Sequence, residues 1–222
     1  MQTMVANVFR RLGWECWSLL LFVRSGGLRP IPVRRIFPVL RALDNDCLLG
    51  AATAITAARD PNGLALIDEH GALSFGELHK RTNALANEWG RRGLGSAANV
   101  AILAGNHRGF LEAVFAAAKC GGNVLLLNTG FGGVQLAEMA TREGVDLLVY
   151  DDEYSAVVAD VHPRLGRFRA WTQSPAPDTL DALIEHGDTG PPPSSVAGPR
   201  SSFRPAGRLA CPKGPRVRSR PP

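Results

Sequence analysis

The most constraining feature of this 222-residue chain is an alternation of apolar runs and amphipathic stretches over residues 99–151. The runs NVAILAGN, NVLLLN and VDLLVYD have the continuous apolar character of strands that are buried on both faces. Between them, the stretch 108–120 has helical spacing and ends at Gly121, and a second helical stretch ends at Gly144. Parallel strands joined in this β-α-β-α-β order require right-handed crossovers. The sequence therefore predicts an α/β fold with a parallel sheet and helices on both faces.

A hairpin and a capped helix are predicted directly before this alternation. The stretch LALIDEHGALSF places two short apolar runs around a three-residue connection that ends at Gly71, where a positive φ is needed. Ser74 and Glu77 then form an S-x-x-E capping box, which predicts a helix that ends near Gly93.

The glycines after this helix resemble a dinucleotide fingerprint, but their context excludes one. Gly93, Gly95 and Ala98 spell G-x-G-x-x-A. In a dinucleotide site the fingerprint follows a strand and opens a helix, whereas here it follows a helix and precedes the strand that begins at Asn99. We interpret these glycines as a helix stop and a turn.

Composition and residue spacing limit which binding partners and metal sites can be expected. An apolar content of 45% is enough for one ordinary core, so one globular domain with tails is expected. The net charge of +5 is concentrated at the two ends of the chain, which argues against nucleic acid in the middle. The four cysteines form no C-x-x-C pair and the five histidines show no ligand spacing. We therefore expect no metal site and inert thiols.

The first fifty residues are predicted to form an N-terminal arm. The apolar run LGWECWSLLLFV follows two arginines, but it is too short to cross a bilayer and lacks a good cleavage signal. Apolar residues recur at helical spacing from Val5 to Val23, so this helix either docks on the domain or lies on a membrane surface. One interpretation is that the protein is cytoplasmic and contacts a membrane peripherally through residues 5–41.

The stretch from Ala65 to Tyr154 carries NHRGF, LLLNT and REG in a fixed order. It resembles the N-terminal part of AMP-forming long-chain fatty-acyl-CoA synthetases of the adenylate-forming superfamily, and it is most similar to actinobacterial members. The resemblance implies an incomplete three-layer α/β/α sandwich. It also implies the family reaction, in which a fatty acid carboxylate attacks the α-phosphate of ATP and the thiol of coenzyme A then displaces AMP. Mg²⁺ assists by neutralising phosphate charge.

The family's phosphate loop is a Ser/Thr/Gly-rich run that ends in P-K-G, and the segment GRLACPKG is similar to it. Gly207, Pro212, Lys213 and Gly214 match the loop and are the candidate ATP-binding residues. The positions 208–210 read RLA, where the family has hydroxyl and glycine donors. The segment is either a degenerate phosphate loop or a chance P-K-G, and we do not expect it to hold ATP alone.

The resemblance divides the chain into an arm (1–50), a partial AMP-binding domain (51–186) and a tail (187–222). The tail holds nine prolines and seven basic residues against one acidic residue, which predicts disorder. Only eight residues follow the P-K-G segment. The family's ribose-binding acidic residue, its hinge and its C-terminal domain with a catalytic lysine are therefore expected to be missing. The composition of the tail is consistent with a linker that is under selection. It is equally consistent with a frameshift, in which GC-rich codons are read in the wrong frame.

We therefore expect a truncated fatty acid–CoA ligase that is inactive as this chain alone, with no catalytic residue among its own side chains. Asn106, His107 and Asn128 are expected to be strand-end hydrogen bonders. One alternative is a non-catalytic α/β binding protein whose basic ends contact membrane or nucleic acid. The tail lacks the aromatic or RGG pattern of a specific nucleic-acid arm. Another alternative is an enzyme that forms only with a complementing chain.

Overall fold

The computed structural model describes residues 32–45, 48–174, 176–193 and 204–205. The helices are α1 (Val33–Asn45), α2 (Leu48–Arg59), α3 (Phe75–Arg91), α4 (Arg108–Lys119), α5 (Gly133–Glu143) and α6 (Leu180–His186). The strands are β1 (Leu64–Asp68), β2 (Gly71–Ser74), β3 (Asn99–Leu103), β4 (Asn123–Leu126), β5 (Val145–Asp151), β6 (Arg167–Trp171) and β7 (Arg204–Pro205). A 3₁₀ turn, Asp152–Tyr154, follows β5.

Five of these strands form one parallel sheet in the order β6-β5-β3-β4-β7. The central strand β3 pairs with β4 on one side and with β5 on the other. The chain moves from β3 to β4 through α4 and then returns past β3 to β5 through α5. The predicted parallel sheet is confirmed, and the carboxyl ends of β3 and β5 form a topological switch point.

Helices cover both faces of the sheet, as predicted. Because successive strand residues point to opposite faces, Val100 and Ile102 pack with α3, α4 and α6, whereas Ala101 and Leu103 pack with α5. The segment after β5 completes the second face with Val158 and Val161. Each fully buried Val, Leu or Ile side chain of this kind contributes about 1.5–3 kcal/mol. The result is the three-layer α/β/α arrangement.

Local signals set the ends of the elements. The Ser74 hydroxyl accepts a hydrogen bond from the backbone N–H of Glu77, and the Glu77 carboxylate accepts one from the backbone N–H of Ser74, so the predicted capping box is confirmed. Helix α5 ends at Gly144, which has a φ of 61°. The hairpin turn is shorter than predicted, because Gly71 (φ 95°) already pairs with Asp68 as the first residue of β2.

The α1–α2 pair packs beside the sheet domain, and α2 contacts both α3 and α4. Residues 187–193 form a strap on α3: the side-chain amide of Asn83 donates to the carbonyl of Thr189 (3.0 Å), and that of Asn87 donates to the carbonyl of Asp188 (2.7 Å). The first residues of the predicted disordered tail therefore contact the domain. The three domain boundaries stay predictions.

The predicted helix before residue 24 and most of the tail lie outside the described residues. Within the part of the chain that the structure describes, no helix has both the length and the apolar character needed to cross a bilayer.

Candidate functional site

A polar cleft of about 710 Å³ opens at the carboxyl ends of β3, β5 and β6. Its principal lining residues are Asp68, Gly105, Asn106, His107, Asp151 and Trp171. In open α/β sheets, ligands bind at this edge of the sheet near the switch point. The cleft is therefore the candidate functional site among the described residues.

Asp151, the last residue of β5, anchors the loop that follows β3. Its side chain is buried, and its carboxylate accepts a hydrogen bond from the backbone N–H of Gly105 (2.7 Å). The same carboxylate lies 3.0 Å from Nε2 of His107. A buried carboxylate needs partners of this kind, because losing water without them is costly. Asp151 therefore ties two adjacent strand ends together.

His107 is the N-cap of α4, and both of its ring nitrogens are engaged. Nδ1 accepts a hydrogen bond from the backbone N–H of Gly109 (3.2 Å). In a neutral imidazole the proton then resides on Nε2, which donates it to Asp151. This arrangement leaves no ring lone pair for abstracting a proton from a substrate. The structure confirms that His107 is a strand-end hydrogen bonder.

Trp171 joins the hairpin to the sheet edge. The His70 ring stacks on the Trp171 indole with a centroid distance of 4.0 Å and an interplanar angle of 18°. The His107 ring is tilted by 37° against the same indole at 4.6 Å. The Trp171 side chain thus contacts a ring of the β1–β2 turn and a ring of the loop after β3.

Arg108 fixes the hairpin to the first turn of α4. Its guanidinium donates to both oxygens of the Asp68 carboxylate, at 2.6 and 2.9 Å for the shortest contacts, and to the carbonyl of Gly71. The side-chain hydrogen bonds from Arg108 hold the pKa of Asp68 well below its ordinary value and raise the pKa of Arg108. The pair is therefore charged at neutral pH and serves as a bidentate link.

The two asparagines have different surroundings. The Asn128 side-chain oxygen accepts a hydrogen bond from the backbone N–H of Gly130 (2.9 Å), which closes the loop after β4 and confirms Asn128 as a strand-end hydrogen bonder. Asn106 lines the cleft. Across the described ranges, no group of three or more His, Cys, Asp or Glu side chains is placed to hold a metal ion.

The cleft is acidic. Its described lining includes five carboxylates: those of Asp68, Glu69, Asp151, Asp152 and Glu153. Two arginines offset part of this charge: Arg108 pairs with Asp68, and Arg169 pairs with Asp152 and, at 2.5 Å, with Asp178 outside the cleft. A triphosphate placed directly against these side chains would be repelled. This part of the edge is suited to holding loops and not to binding phosphate.

The four predicted phosphate-loop residues, Gly207, Pro212, Lys213 and Gly214, lie outside the described residues. The backbone of β7 immediately precedes them, and it pairs in parallel with β4 through Leu125–Arg204 and Leu126–Pro205. The carboxyl end of β7 therefore lies on the same edge of the sheet as the cleft.

Sequence reasoning did not single out Asp151, Trp171 or the Asp68–Arg108 pair. Asp151 had a usable signal, because it is the last residue of the predicted strand VDLLVYD, and the carboxyl ends of neighbouring parallel strands meet. Trp171 had none, since its strand has no clear apolar periodicity and its ring partners are far away in sequence.

Comparisons with known proteins connect this chain to one enzyme family. The pattern of the AMP-binding enzyme family matches residues 54–202. A fatty acid–[acyl-carrier-protein] ligase of Streptomyces coeruleorubidus is 26% identical over 73% of this chain and 31% of its own length. A feruloyl-CoA synthase of Amycolatopsis is 30% identical over 50% of this chain and 23% of its own length. The bovine long-chain fatty acid transport protein 1 is 33% identical over 60% of this chain and 22% of its own length.

Solved structures show the same fold. The fatty acyl CoA synthetase of Mycobacterium tuberculosis superimposes with a TM-score of 0.58 at 17% identity, covering 71% of this chain and 31% of that one. A putative long-chain fatty acid–CoA ligase of Rhodopseudomonas palustris gives a TM-score of 0.55 at 22% identity, covering 72% and 39%. The chain spans less than a third of the length of the curated relatives it matches. Since the family pattern covers more than half of the chain, this protein belongs to the AMP-binding enzyme family, as the resemblance to adenylate-forming synthetases predicted.

Proposed function

We propose that this chain supplies the N-terminal part of a fatty acid–CoA ligase of the AMP-forming type. The observation that carries the proposal is the family match over residues 54–202. The names of two relatives support a carboxylate substrate, since one is a fatty acid ligase and the other is a feruloyl-CoA synthase. A non-catalytic binding protein is less well supported, because two of the three relatives reported above are a ligase and a synthase, whereas one is named a transport protein.

The proposed reaction has two steps. The fatty acid carboxylate attacks the α-phosphorus of ATP, and pyrophosphate leaves with the bridging oxygen, which gives an acyl-adenylate. The thiol of coenzyme A then attacks the acyl carbon and releases AMP, giving the acyl-CoA thioester and a proton. Mg²⁺ would neutralise phosphate charge in the first step. The described residues provide the scaffold for this chemistry, and the cleft's hydrogen bonds hold its loops.

Gly207, Pro212, Lys213 and Gly214 are proposed as a degenerate phosphate loop. The support is their place in the chain, since the motif begins two residues after β7, at the carboxyl edge of the sheet. Lys213 would supply a point charge, and the glycines would let backbone N–H groups approach an anion. Arg208 and Leu209 replace hydroxyl donors, so we propose that the 222 residues alone form no acyl-adenylate.

Complementation tests the proposal directly. The full chain is mixed with the portion of the Streptomyces coeruleorubidus relative that lies beyond its match to this chain, and pyrophosphate release is measured with ATP, Mg²⁺ and a fatty acid. We expect release that requires both polypeptides and falls at least tenfold with Lys213→Ala. Coenzyme A and acyl carrier protein, added separately, then identify the thiol acceptor.

Two outcomes would contradict the proposal. Release that does not depend on the fatty acid would show ATP hydrolysis instead of ligation. No release from a mixture in which the two polypeptides bind each other would show that this chain does not supply a working N-terminal part.

The exposed face of α1 supports a second proposal, a peripheral contact of residues 5–41 with an anionic membrane. Ile36, Phe37 and Leu40 are 38, 74 and 57% exposed, which is unusual for large apolar side chains so close together. Arg34 and Arg41 lie on the same helix and are also exposed. An apolar face bordered by arginines is typical of helices that lie on membrane surfaces. On this proposal the protein is cytoplasmic and partly membrane-bound.

Liposome flotation tests the membrane contact. Ile36→Ser combined with Leu40→Ser is expected to reduce salt-sensitive flotation with phosphatidylglycerol vesicles several-fold. Leu64→Ser combined with Ile67→Ser is the matched control, because these apolar hairpin side chains are at least as exposed as Ile36 and Leu40. Equal loss in both double variants would contradict a contact specific to the arm.

A further inference from the structure

Helix α1 presents an exposed apolar face that lies beside a cavity. Phe37 and Leu40 on this face are both mostly exposed. Phe37 also lines a cavity of about 410 Å³ between α1, α2 and α3. The rest of the apolar wall includes three alanines of α2 and two prolines of the strap, namely Ala54, Ala57, Ala58, Pro191 and Pro192. The described domain therefore offers exposed apolar surface of the kind that marks an interaction site.

The chain that precedes α1 contains a segment that can cover this surface. Residues 12–23, here called the apolar segment, read LGWECWSLLLFV and are nearly as many as the 13 residues of α1. The nine residues 24–32 join the two and include two glycines and two prolines, which favour a turn. Fully extended, nine residues span about 30 Å, whereas packed helices lie only about 8–10 Å apart. The apolar segment can therefore run back along α1.

An antiparallel return of the apolar segment fixes which residues lie level with each other. Two helices that leave the same turn rise equally per residue, so each step back from residue 23 is matched by one step forward from residue 33, where α1 begins. Leu19 then lies level with Phe37, and Cys16 lies level with Leu40. Spacings of four and seven residues place side chains on one face of a helix. Both apolar sets therefore face the same interface.

Charge complementarity favours the same register. Glu15 is the only acidic residue among the first 43 residues, and it interrupts the apolar run. A carboxylate within an apolar interface is costly without a partner. In this register Glu15, eight residues before residue 23, lies level with Arg41, eight residues after residue 33. Arg41 is exposed and lines the cavity, whose described lining includes no carboxylate. Arg41 is therefore suited to pair with Glu15.

We propose that, in the absence of lipid, the apolar segment docks antiparallel on the exposed face of α1 and that Glu15 pairs with Arg41. The segment would cover Phe37 and Leu40 and close the cavity beside them. The membrane contact proposed above uses the same face, so a membrane would have to displace the segment. The docking is formed and tested without lipid, so it depends neither on that contact nor on the proposed ligase activity.

Disulfide trapping of the full chain, without lipid, tests the docking. In Leu40→Cys the introduced thiol lies level with the native Cys16, and peptide mass spectrometry identifies a disulfide between them. Arg34→Cys is the matched control, because Arg34 is also exposed on α1 but lies six residues, or about 9 Å of helix rise, from Leu40. In a glutathione redox buffer, we expect the effective concentration of the thiol pair to be at least tenfold higher in Leu40→Cys than in Arg34→Cys.

A charge exchange tests the register. Glu15→Arg or Arg41→Glu, each added to Leu40→Cys, places like charges level with each other and should lower the effective concentration roughly threefold. Glu15→Arg combined with Arg41→Glu restores opposite charges and should recover most of this loss. Arg142→Glu, at an exposed arginine on α5, is the matched control and should leave the trapping unchanged.

The proposal is overturned if Leu40→Cys and Arg34→Cys trap Cys16 equally, or if neither traps it in a chain that circular dichroism shows to be folded. A disulfide found only in covalent dimers would show that a second copy occupies the face instead. Single charge variants that trap as well as Leu40→Cys, or a charge exchange without recovery, would contradict the pairing of Glu15 with Arg41.

Discussion

Helix α4 contributes to two polar clusters that differ in their surroundings. At its first turn, His107 and Arg108 bind the carboxylates of Asp151 and Asp68 at the rim of an open cleft. Further along, Glu112 and Lys119 are each only 1% exposed and bind polar groups of α3. We call these the rim cluster and the inner cluster.

This difference in access to water predicts how each cluster affects the stability of the fold and the positions of the loops. The rim side chains are also largely buried, but they border a cleft that water can enter, so water can replace part of a lost interaction. Inner groups have no such replacement, and removing one partner leaves a buried charge. We therefore expect the inner cluster to dominate stability, while the rim cluster sets the positions of the loops around the cleft.

Breaking the Arg81–Glu112 pair should lower the free energy of unfolding more than any other change described below. Nε of Arg81 donates to Glu112 over 2.5 Å, and Arg81 also pairs with Asp181 on α6. We expect Arg81→Met to lower the free energy of unfolding by about 3–5 kcal/mol, because it leaves the Glu112 carboxylate buried without this cation. Urea denaturation measures the change.

Arg142→Met is the control for this experiment, since Arg142 pairs with Glu143 at an exposed site and its loss should cost about 0–1 kcal/mol. Burial raises the pKa of Glu112, so in Arg81→Met the folded state should bind a proton more readily than the unfolded state. The deficit should therefore shrink as the pH falls from 7 towards 5. If Arg81→Met and Arg142→Met lowered the free energy of unfolding equally, the inner cluster would not dominate stability as we expect.

The strap beside the inner cluster should tolerate no side chain at Gly187. A Cβ at this position would lie 2.4 Å from the carbonyl oxygen of Ala84 on α3. We expect Gly187→Ala to cost about 1–3 kcal/mol in unfolding free energy by forcing the strap away from the helix. Gly90→Ala is the control, since nothing lies within 4 Å of its Cβ, and it should stabilise α3 by up to about 1 kcal/mol. A neutral Gly187→Ala would show that the strap does not pack there.

His79 should give the inner cluster a pH dependence. Its folded pKa is lowered to about 4, whereas the unfolded ring titrates near 6.5. Between these values the unfolded state binds more protons, so stability falls as the pH falls through this window. From pH 7 to pH 5 we expect the wild type to lose about 2 kcal/mol more than His79→Gln.

Urea denaturation at several pH values measures this slope. His162→Gln, at an exposed histidine after β5, is the matched control. The same slope in the wild type and in His79→Gln would contradict the assignment of the pH dependence to the inner cluster.

Substitution in the rim cluster should change the free energy of unfolding the least. His107→Ala removes the N-cap of α4 and the contact with Asp151, and we expect a cost of about 1 kcal/mol in unfolding free energy. His107→Asn should recover most of it, because asparagine is a good N-cap that can accept from the N–H of Gly109. A cost for His107→Ala as large as that for Arg81→Met would erase the distinction between rim and inner clusters.

The sheet and the helix ends could be predicted from the sequence because their signals are local. Apolar runs, the Ser74–Glu77 capping box and Gly144 act within a few residues of one another. The inner cluster could not be predicted, since its partners lie 31 to 40 residues apart and a polar residue in a helix is normally exposed.

The candidate site could be predicted only in part. The sequence indicated that His107 and Asn128 act as strand-end hydrogen bonders, but it did not give the partner of either. Asp151 and His107 are 44 residues apart and meet only because β5 lies beside β3. The strap was missed because its composition of glycine and proline is also that of an unfolded tail.

Pyrophosphate release by the 222-residue chain alone is the most direct test of the central proposal, that these residues by themselves form no acyl-adenylate. With ATP, Mg²⁺ and a fatty acid, we expect release no higher than that of the Lys213→Ala control. Fatty acid-dependent release well above this control, with trapping of an acyl-adenylate by hydroxylamine, would contradict the claim.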